Sequence, residues 1–133
     1  MLKSKLRKKI FKVRQKFNTR NIQIDFNQII KILKKEKISN KTIGGYYPVN
    51  FEIDNLELLR KFKKNRFNIS LPVIKKNFQM DFYPWSFSEP LRINRYGIPE
   101  PETKNIVYPD VLLIPLLAFD KKFEQTWIWW WIL

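Results

Sequence analysis

The 133-residue chain suits one domain with a modest core, and its 44% hydrophobic content is ordinary for a globular protein. It contains no Cys and no His, which excludes disulfide and thiol chemistry, Ser-His-Asp nucleophilic catalysis and metalloprotease chemistry. The net charge of +14 sits in residues 1–66, with 19 Lys/Arg against 5 Asp/Glu, while residues 67–133 hold 7 against 7.

Residues 2–17 predict a basic amphipathic helix, because Leu2, Leu6, Ile10, Val13 and Phe17 recur at helical spacing and share a face. Asn18 to Asn21 break it. A second helix runs from about Asp25 to Lys35, with Phe26, Ile29, Ile30 and Leu33 as its apolar stripe. Lys41 to Tyr47 predicts a strand, ended by Pro48. Asp54 caps a third helix whose buried side is Ile53, Leu56, Leu59 and Phe62. Residues 67–74 predict the next strand, with Pro72 near its end, and Met80 to Tyr83 a further one before Pro84. Residues 86–109 contain four prolines and read as irregular loop. Val111 to Leu117 is a near-continuous apolar run, as expected of a central parallel strand buried on both faces. The alternation of helix and strand predicts an α/β fold: a three-layer, open, mainly parallel sheet flanked by helices. Ligands of such sheets sit beyond the carboxyl ends of the strands, here near 47–52, 71–72 and 117–120.

The basic half suggests an anionic partner. A blander cause competes: 19 Lys but 7 Arg, 17 Ile, 11 Asn and one Ala form a profile that favours AT-rich codons, with the lysines on solvated helix faces. A small basic nucleic-acid-binding protein is the alternative this charge allows. However, Phe11, Phe17, Phe62 and Phe67 fit helix stripes and strand packing better than a base-stacking platform. Lys8, Lys9, Lys12 and Arg14 interrupt any secretory apolar core. No window approaches the ~20 apolar residues of a membrane span. A cytoplasmic location is the expectation.

Trp127-Ile128-Trp129-Trp130-Trp131-Ile132-Leu133 is an aromatic cluster that, if exposed, would favour self-association. Trp has a single codon, TGG, and read one base later every TGG becomes a glycine codon. The shifted frame is therefore compelled to read G-x-G-G-G, and it permits R-L-G-Y-G-G-G-Y-Y-D. This predicts a frameshifted truncation, with the shifted frame open beyond this stop.

The permitted string resembles the phosphate-loop signature of the 5-formyltetrahydrofolate cyclo-ligase family. The in-frame residues are similar to that family in order. Lys3-Ser4-Lys5-Leu6-Arg7 resembles its K-x-x-L-R start. Tyr46 to Asp54 resembles Y-x-P-V-x-x-E-I-D, Leu71-Pro72 its short L-P, and Tyr96 to Pro101 its Y-G-I-x-E-P. Asp110 to Asp120 resembles D-L-x-x-x-P-x-x-A-F-D.

The resemblance implies ATP- and Mg2+-dependent conversion of 5-formyltetrahydrofolate to 5,10-methenyltetrahydrofolate. It implies ATP contacts at Lys3, Ser4, Lys5, Leu6 and Arg7. It implies folate contacts at Arg7, Tyr47, Glu52 and Tyr96, with Glu52 on the pterin's amino-pyrimidine edge. Without the family, Lys3 to Arg7 is a basic helix face, Glu52 a helix-start acid and Tyr96 a packing residue. The family's metal-binding Asp falls in the shifted frame past the stop, so no residue here is assigned to Mg2+. The expectation is a partial cyclo-ligase-like domain over 1–122 and an out-of-frame tail over 123–133. It would be a truncated, pseudogene-like and inactive remnant, or a chain active only with a complementing C-terminal partner.

Overall fold

The apolar periodicities become three helices, α1 (Leu2–Lys16), α2 (Phe26–Lys35) and α3 (Leu56–Lys64). The computed structural model describes residues 2–17, 22–39, 41–77, 79–102, 104–116, 118–119, 121–122 and 125–126. A helix start leaves backbone N–H groups without partners, and acidic side chains fill that role twice. Asp25 Oδ1 accepts Asn27 N at 2.9 Å and Gln28 N at 3.4 Å at the head of α2. Asp54 Oδ1 accepts Leu56 N at 2.7 Å at the head of α3. Asn55 holds the N-cap position there, but its side chain makes no cap bond.

The strands are β1 (Thr42–Gly44), β2 (Asn68–Ile74), β3 (Met80–Pro84), β4 (Leu91–Ile93), β5 (Pro99–Pro101), β6 (Val111–Leu112), β7 (Ala118–Phe119) and β8 (Gln125–Thr126). Four of them form a sheet in the order β3-β2-β1-β6. β1 is parallel to both β2 and β6, and β3 runs antiparallel to β2. β4–β5 and β7–β8 are separate antiparallel pairs. The α/β expectation holds: a mainly parallel sheet with flanking helices.

The core lies where α2 and α3 meet the sheet. Leu33, Leu58, Leu59 and Phe62 pack with Ile43, Ile69, Leu71 and Trp85. Each such fully buried apolar side chain stabilises by ~1.5–3 kcal/mol. Phe62 stands edge-on to Phe26 and Phe67, with centroids 5.2 and 5.1 Å away, the arrangement that ring quadrupoles favour. A glycine pair ends β1. A Cβ on Gly44 would sit 2.6 Å from Leu112 Cδ2, and one on Gly45 2.6 Å from Leu59 Cδ1. Their bareness lets β6 and α3 close on the strand end.

Four expectations are corrected. In α1 the partly buried residues are Arg7, Ile10, Phe11 and Arg14, whereas Leu2, Leu6, Val13 and Phe17 are 45–86% exposed. The inner face is thus rotated from the apolar stripe: Phe11 meets Phe51, and Arg14 meets the Leu116 carbonyl. The strand expected over 41–47 shortens to Thr42–Gly44 because the chain turns into a loop at Gly45. The strand expected over 111–117 shortens to Val111–Leu112, which pairs with β1 only, among the described residues, with Leu112 and Ile114 exposed. Residues 86–109 contain the hairpin β4–β5.

Pro72 lies inside β2 and faces away from β3. Ser70 O accepts Gly45 N on the β1 side, while Ile69 O accepts Trp85 N on the other. Pro72, two residues on from Ser70, therefore turns its missing N–H toward the side where β1 has already ended.

Candidate functional site

The chain leaves β1 through loop 45–55 and returns in α3. Asn55 closes that loop: fully buried, its Nδ2 donates to Tyr46 O at 2.7 Å and its Oδ1 accepts Tyr46 N at 3.3 Å. The Tyr46 hydroxyl donates to Ile53 O at 2.6 Å. At the tip Glu52 N donates to Val49 O at 3.0 Å, and Asn50 and Phe51 have φ of 51° and 63°. Two successive positive φ values are tolerable for Asn and strained for Phe, at a cost of order 1–3 kcal/mol. Two contacts hold the strain. Phe51 packs edge-on to Phe11 of α1 with centroids 6.0 Å apart, and Glu52 Oε2 accepts Val49 N at 3.0 Å.

Glu52 is thereby fixed and only 5% exposed, at the carboxyl side of β1. It lines a cavity of about 590 Å3 with Tyr46, Asn55, Arg14, the apolar Ile29 and Leu58, and the run 112–116. Arg14 Nη2 donates to Leu116 O, which ties α1 to that run. Arg14 Nη1 is buried with no hydrogen-bond partner among the described residues. Burial lowers the Arg14 pKa, and the opposing fields of Glu52 and Tyr46 raise it. Burial, then the Glu52 and Asp54 carboxylates, push the Tyr46 hydroxyl well above its usual value, so Tyr46 is a neutral donor at ordinary pH. The cavity therefore offers a fixed carboxylate, a fixed phenol and a guanidinium in mostly apolar walls. That combination suits a flat, polar-edged ring.

Glu52 also lines a second cavity of about 550 Å3 with Tyr47, Phe51, Asp54 and Leu56. The structure thus brings Tyr47 and Glu52 together, and sets Arg7 on the same inner face of α1 as Phe11 and Arg14. Lys3, Ser4, Lys5 and Leu6 are exposed in the first turns of α1. Tyr96 stands apart, in a third cavity of about 410 Å3 formed by the β4–β5 hairpin and the β2–β3 turn; it shares no lining residue with either Glu52 cavity. Among the described residues no group of three or more acidic side chains is placed to hold a metal ion. Asp120 and the Trp tail lie outside the described residues. Within the segment expected to be out of frame, Gln125–Thr126 pairs with Ala118–Phe119.

Sequence reasoning passed over Arg14, Tyr46 and Asn55. Arg14 was findable: seven residues after Arg7, it falls on the same helix face. Asn55 directly precedes an apolar helix and reads as a cap, so nothing in the sequence marks it as the lock of a loop.

A sequence model of the 5-formyltetrahydrofolate cyclo-ligase family matches residues 1–124. No curated protein matches the chain. Among solved structures the chain is similar to the Aquifex aeolicus 5,10-methenyltetrahydrofolate synthetase, at 28% identity and a TM-score of 0.69 over 90% of this chain and 63% of that one. It is also similar to a 5,10-methenyltetrahydrofolate synthetase from Mycoplasma pneumoniae, at 22% identity and a TM-score of 0.70 over 96% of this chain and 72% of that one. The chain thus spans less than two thirds of the Aquifex aeolicus protein. No helix among the described residues is long and apolar enough to cross a membrane.

Proposed function

The chain belongs to the 5-formyltetrahydrofolate cyclo-ligase family, and on that premise we propose that the Glu52 cavity takes the pterin of 5-formyltetrahydrofolate. The observation that carries this reading is the buried carboxylate, fixed by Val49 N at 3.0 Å, in a largely apolar cavity. A carboxylate accepts two parallel N–H bonds, which is what an amino-pyrimidine edge presents. Leu58, Ile29 and the 112–116 run supply apolar walls for the ring. Arg14, with its unpartnered Nη1, supplies a donor for a ligand oxygen and joins Arg7 and Tyr47 as a substrate contact. Tyr96, in its separate cavity, meets only a remote part of the ligand.

Lys3, Ser4, Lys5, Leu6 and Arg7 are the proposed ATP segment. Lys3 and Arg7, four apart on α1, give two cations to one anion. In the family reaction ATP activates the formyl oxygen as a phosphate ester before the ring closes. The described residues offer no cluster for Mg2+, and no step is assigned to that ion. Residues 123–133 are proposed to be a frameshifted tail standing in place of a glycine-rich loop. The proposal is therefore a folate-binding domain over 1–122, inactive because that tail occupies the place of the loop.

Calorimetric titration of 5-formyltetrahydrofolate should show saturable binding. Glu52→Gln should weaken it by about 1–3 kcal/mol, the loss expected when a buried hydrogen-bonded acceptor is removed. The same protein with Mg-ATP should form no methenyltetrahydrofolate above background. Unchanged affinity in Glu52→Gln would overturn the site, and robust turnover would overturn the inactivity. One observation favours a second reading, activity with a complementing chain: among the described residues β6 is an edge of the sheet on the cavity side, with Leu112 and Ile114 exposed. Turnover restored on adding a chain equivalent to the remaining part of the relatives would select it.

A further inference from the structure

Residues 67–133 carry no net charge, yet four of their seven cations line one cavity. Lys75 and Lys76 come from the β2–β3 turn, Arg92 and Arg95 from the β4–β5 hairpin, and Glu100 is the single acid in the lining. Random placement on a solvated surface spreads like charges, because clustering them raises the energy of the folded state.

Three of these cations, Lys75, Arg92 and Arg95, are also held in place. Glu100, 3% exposed, accepts Arg92 Nε at 3.1 Å and Asn94 Nδ2 at 3.1 Å, so Arg92's terminal nitrogens are left for another acceptor. Lys75 Nζ donates to the Tyr83 hydroxyl and lies 3.7 Å from Asp81. The Tyr83 bond favours the charged form of Lys75. Arg95 stacks 4.9 Å over the Tyr96 ring and donates to its hydroxyl at 2.9 Å. The hairpin that presents both arginines is itself fixed. Asn94 Oδ1 accepts Tyr96 N and Ile98 N, and Gly97 takes the φ of 75° that the turn needs. Held cations around a recess large enough for several heavy atoms are a preorganised receptor for oxygen-rich anions, and arginine forks match carboxylate and phosphate alike.

We propose that the cavity between the β2–β3 turn and the β4–β5 hairpin is an oxyanion site, built for a small molecule bearing several carboxylates or phosphates. Two reactants of the proposed function carry such groups: the glutamate end of a folate and the triphosphate of ATP. Assigning the source rests on the folate reading of Glu52; the anion site itself does not.

The test is calorimetric titration of the full-length chain with tripolyphosphate and with tri-γ-glutamate, at fixed ionic strength, with sulfate as the reference anion. The binding partner should be saturable at one equivalent and tighter than sulfate. Lys76→Glu with Arg95→Glu, both on exposed side chains, should weaken it about tenfold or more through like-charge repulsion. The matched pair Lys31→Glu with Lys63→Glu, exposed on α2 and α3, changes net charge equally and should leave it unchanged. Preference for tri-γ-glutamate assigns the carboxylate source; preference for tripolyphosphate assigns the phosphate source. No saturable binding of either anion, or equal losses from the two pairs, overturns the proposal. Retention of anion binding in Glu52→Gln separates its fate from that of the pterin site.

Discussion

α3 buries Leu58, Leu59 and Phe62 to 3% exposure or less, whereas α1, longer and richer in lysine, contains no fully buried residue. The two helices answer to different partners. α3 lies on an apolar sheet, so its orientation follows its apolar stripe. α1 lies against the loop that carries Glu52, so the residues it turns inward are Arg7, Ile10, Phe11 and Arg14. Two arginines can occupy an inner face because their stems pack, while the head of Arg14 donates to the Leu116 carbonyl. The lesson is that α3 serves stability, while α1 serves the cleft and leaves its greasiest side outside.

The comparison breaks most visibly in the core. Phe62→Ala should lower the unfolding free energy by about 3–5 kcal/mol in urea denaturation, since a fully buried ring is lost from a packed cluster. A loss under about 1 kcal/mol would mean that α3 is no better anchored than α1.

Tyr46→Phe sharpens the cleft side. The folded-state pKa of Tyr46 lies above its ordinary 10.0, so its contribution is complete below that pH. Above it, the unfolded chain ionises and the folded chain does not, and stability falls by ~1.4 kcal/mol per pH unit from this group. Stability measured between about pH 10 and 12 should be steeper in the parent than in Tyr46→Phe, with the lysines common to both. Equal slopes would place Tyr46 in solvent. The smallest effect belongs to α1's outer side: Leu6→Ser should change stability by no more than about 0.5 kcal/mol. A large loss would show that this face is covered.

What the sequence shows plainly is whatever follows apolar spacing. The stripe Phe26, Ile29, Ile30 and Leu33, and Leu59 with Phe62, are read correctly because hydrophobic burial dictates them. α1 misleads because Arg7 and Arg14 turn inward beside Phe11, and no hydrophobic pattern encodes an inward guanidinium. The hairpin in 86–109 hides behind its prolines. Asn94 N donates to Ile98 O, so even-numbered residues carry the ladder, and Pro99 and Pro101 fall where no N–H is needed. Glu52 and Tyr47, the folate contacts that the family resemblance implies, share a cavity. Arg14 and Asn55 act through tertiary position, and Tyr96 turns out to belong with a group of cations that are scattered in the sequence.

The bond from Arg14 to the Leu116 carbonyl joins residues 102 positions apart, and that from Thr42 N to Asp110 Oδ2 joins residues 68 apart. These separations give the molecule a birth order. On a ribosome emitting ~5–20 residues per second, β1, α3 and β2 can condense through short-range closures as soon as Ile74 has emerged. The far wall of the Glu52 cavity does not yet exist at that moment. Arg14 must wait, held by α1 alone, while the rest of the wall is synthesised, and the closure that seats it must join residues 102 apart. The cleft closes late in synthesis, though one of its walls is nearly the first thing made.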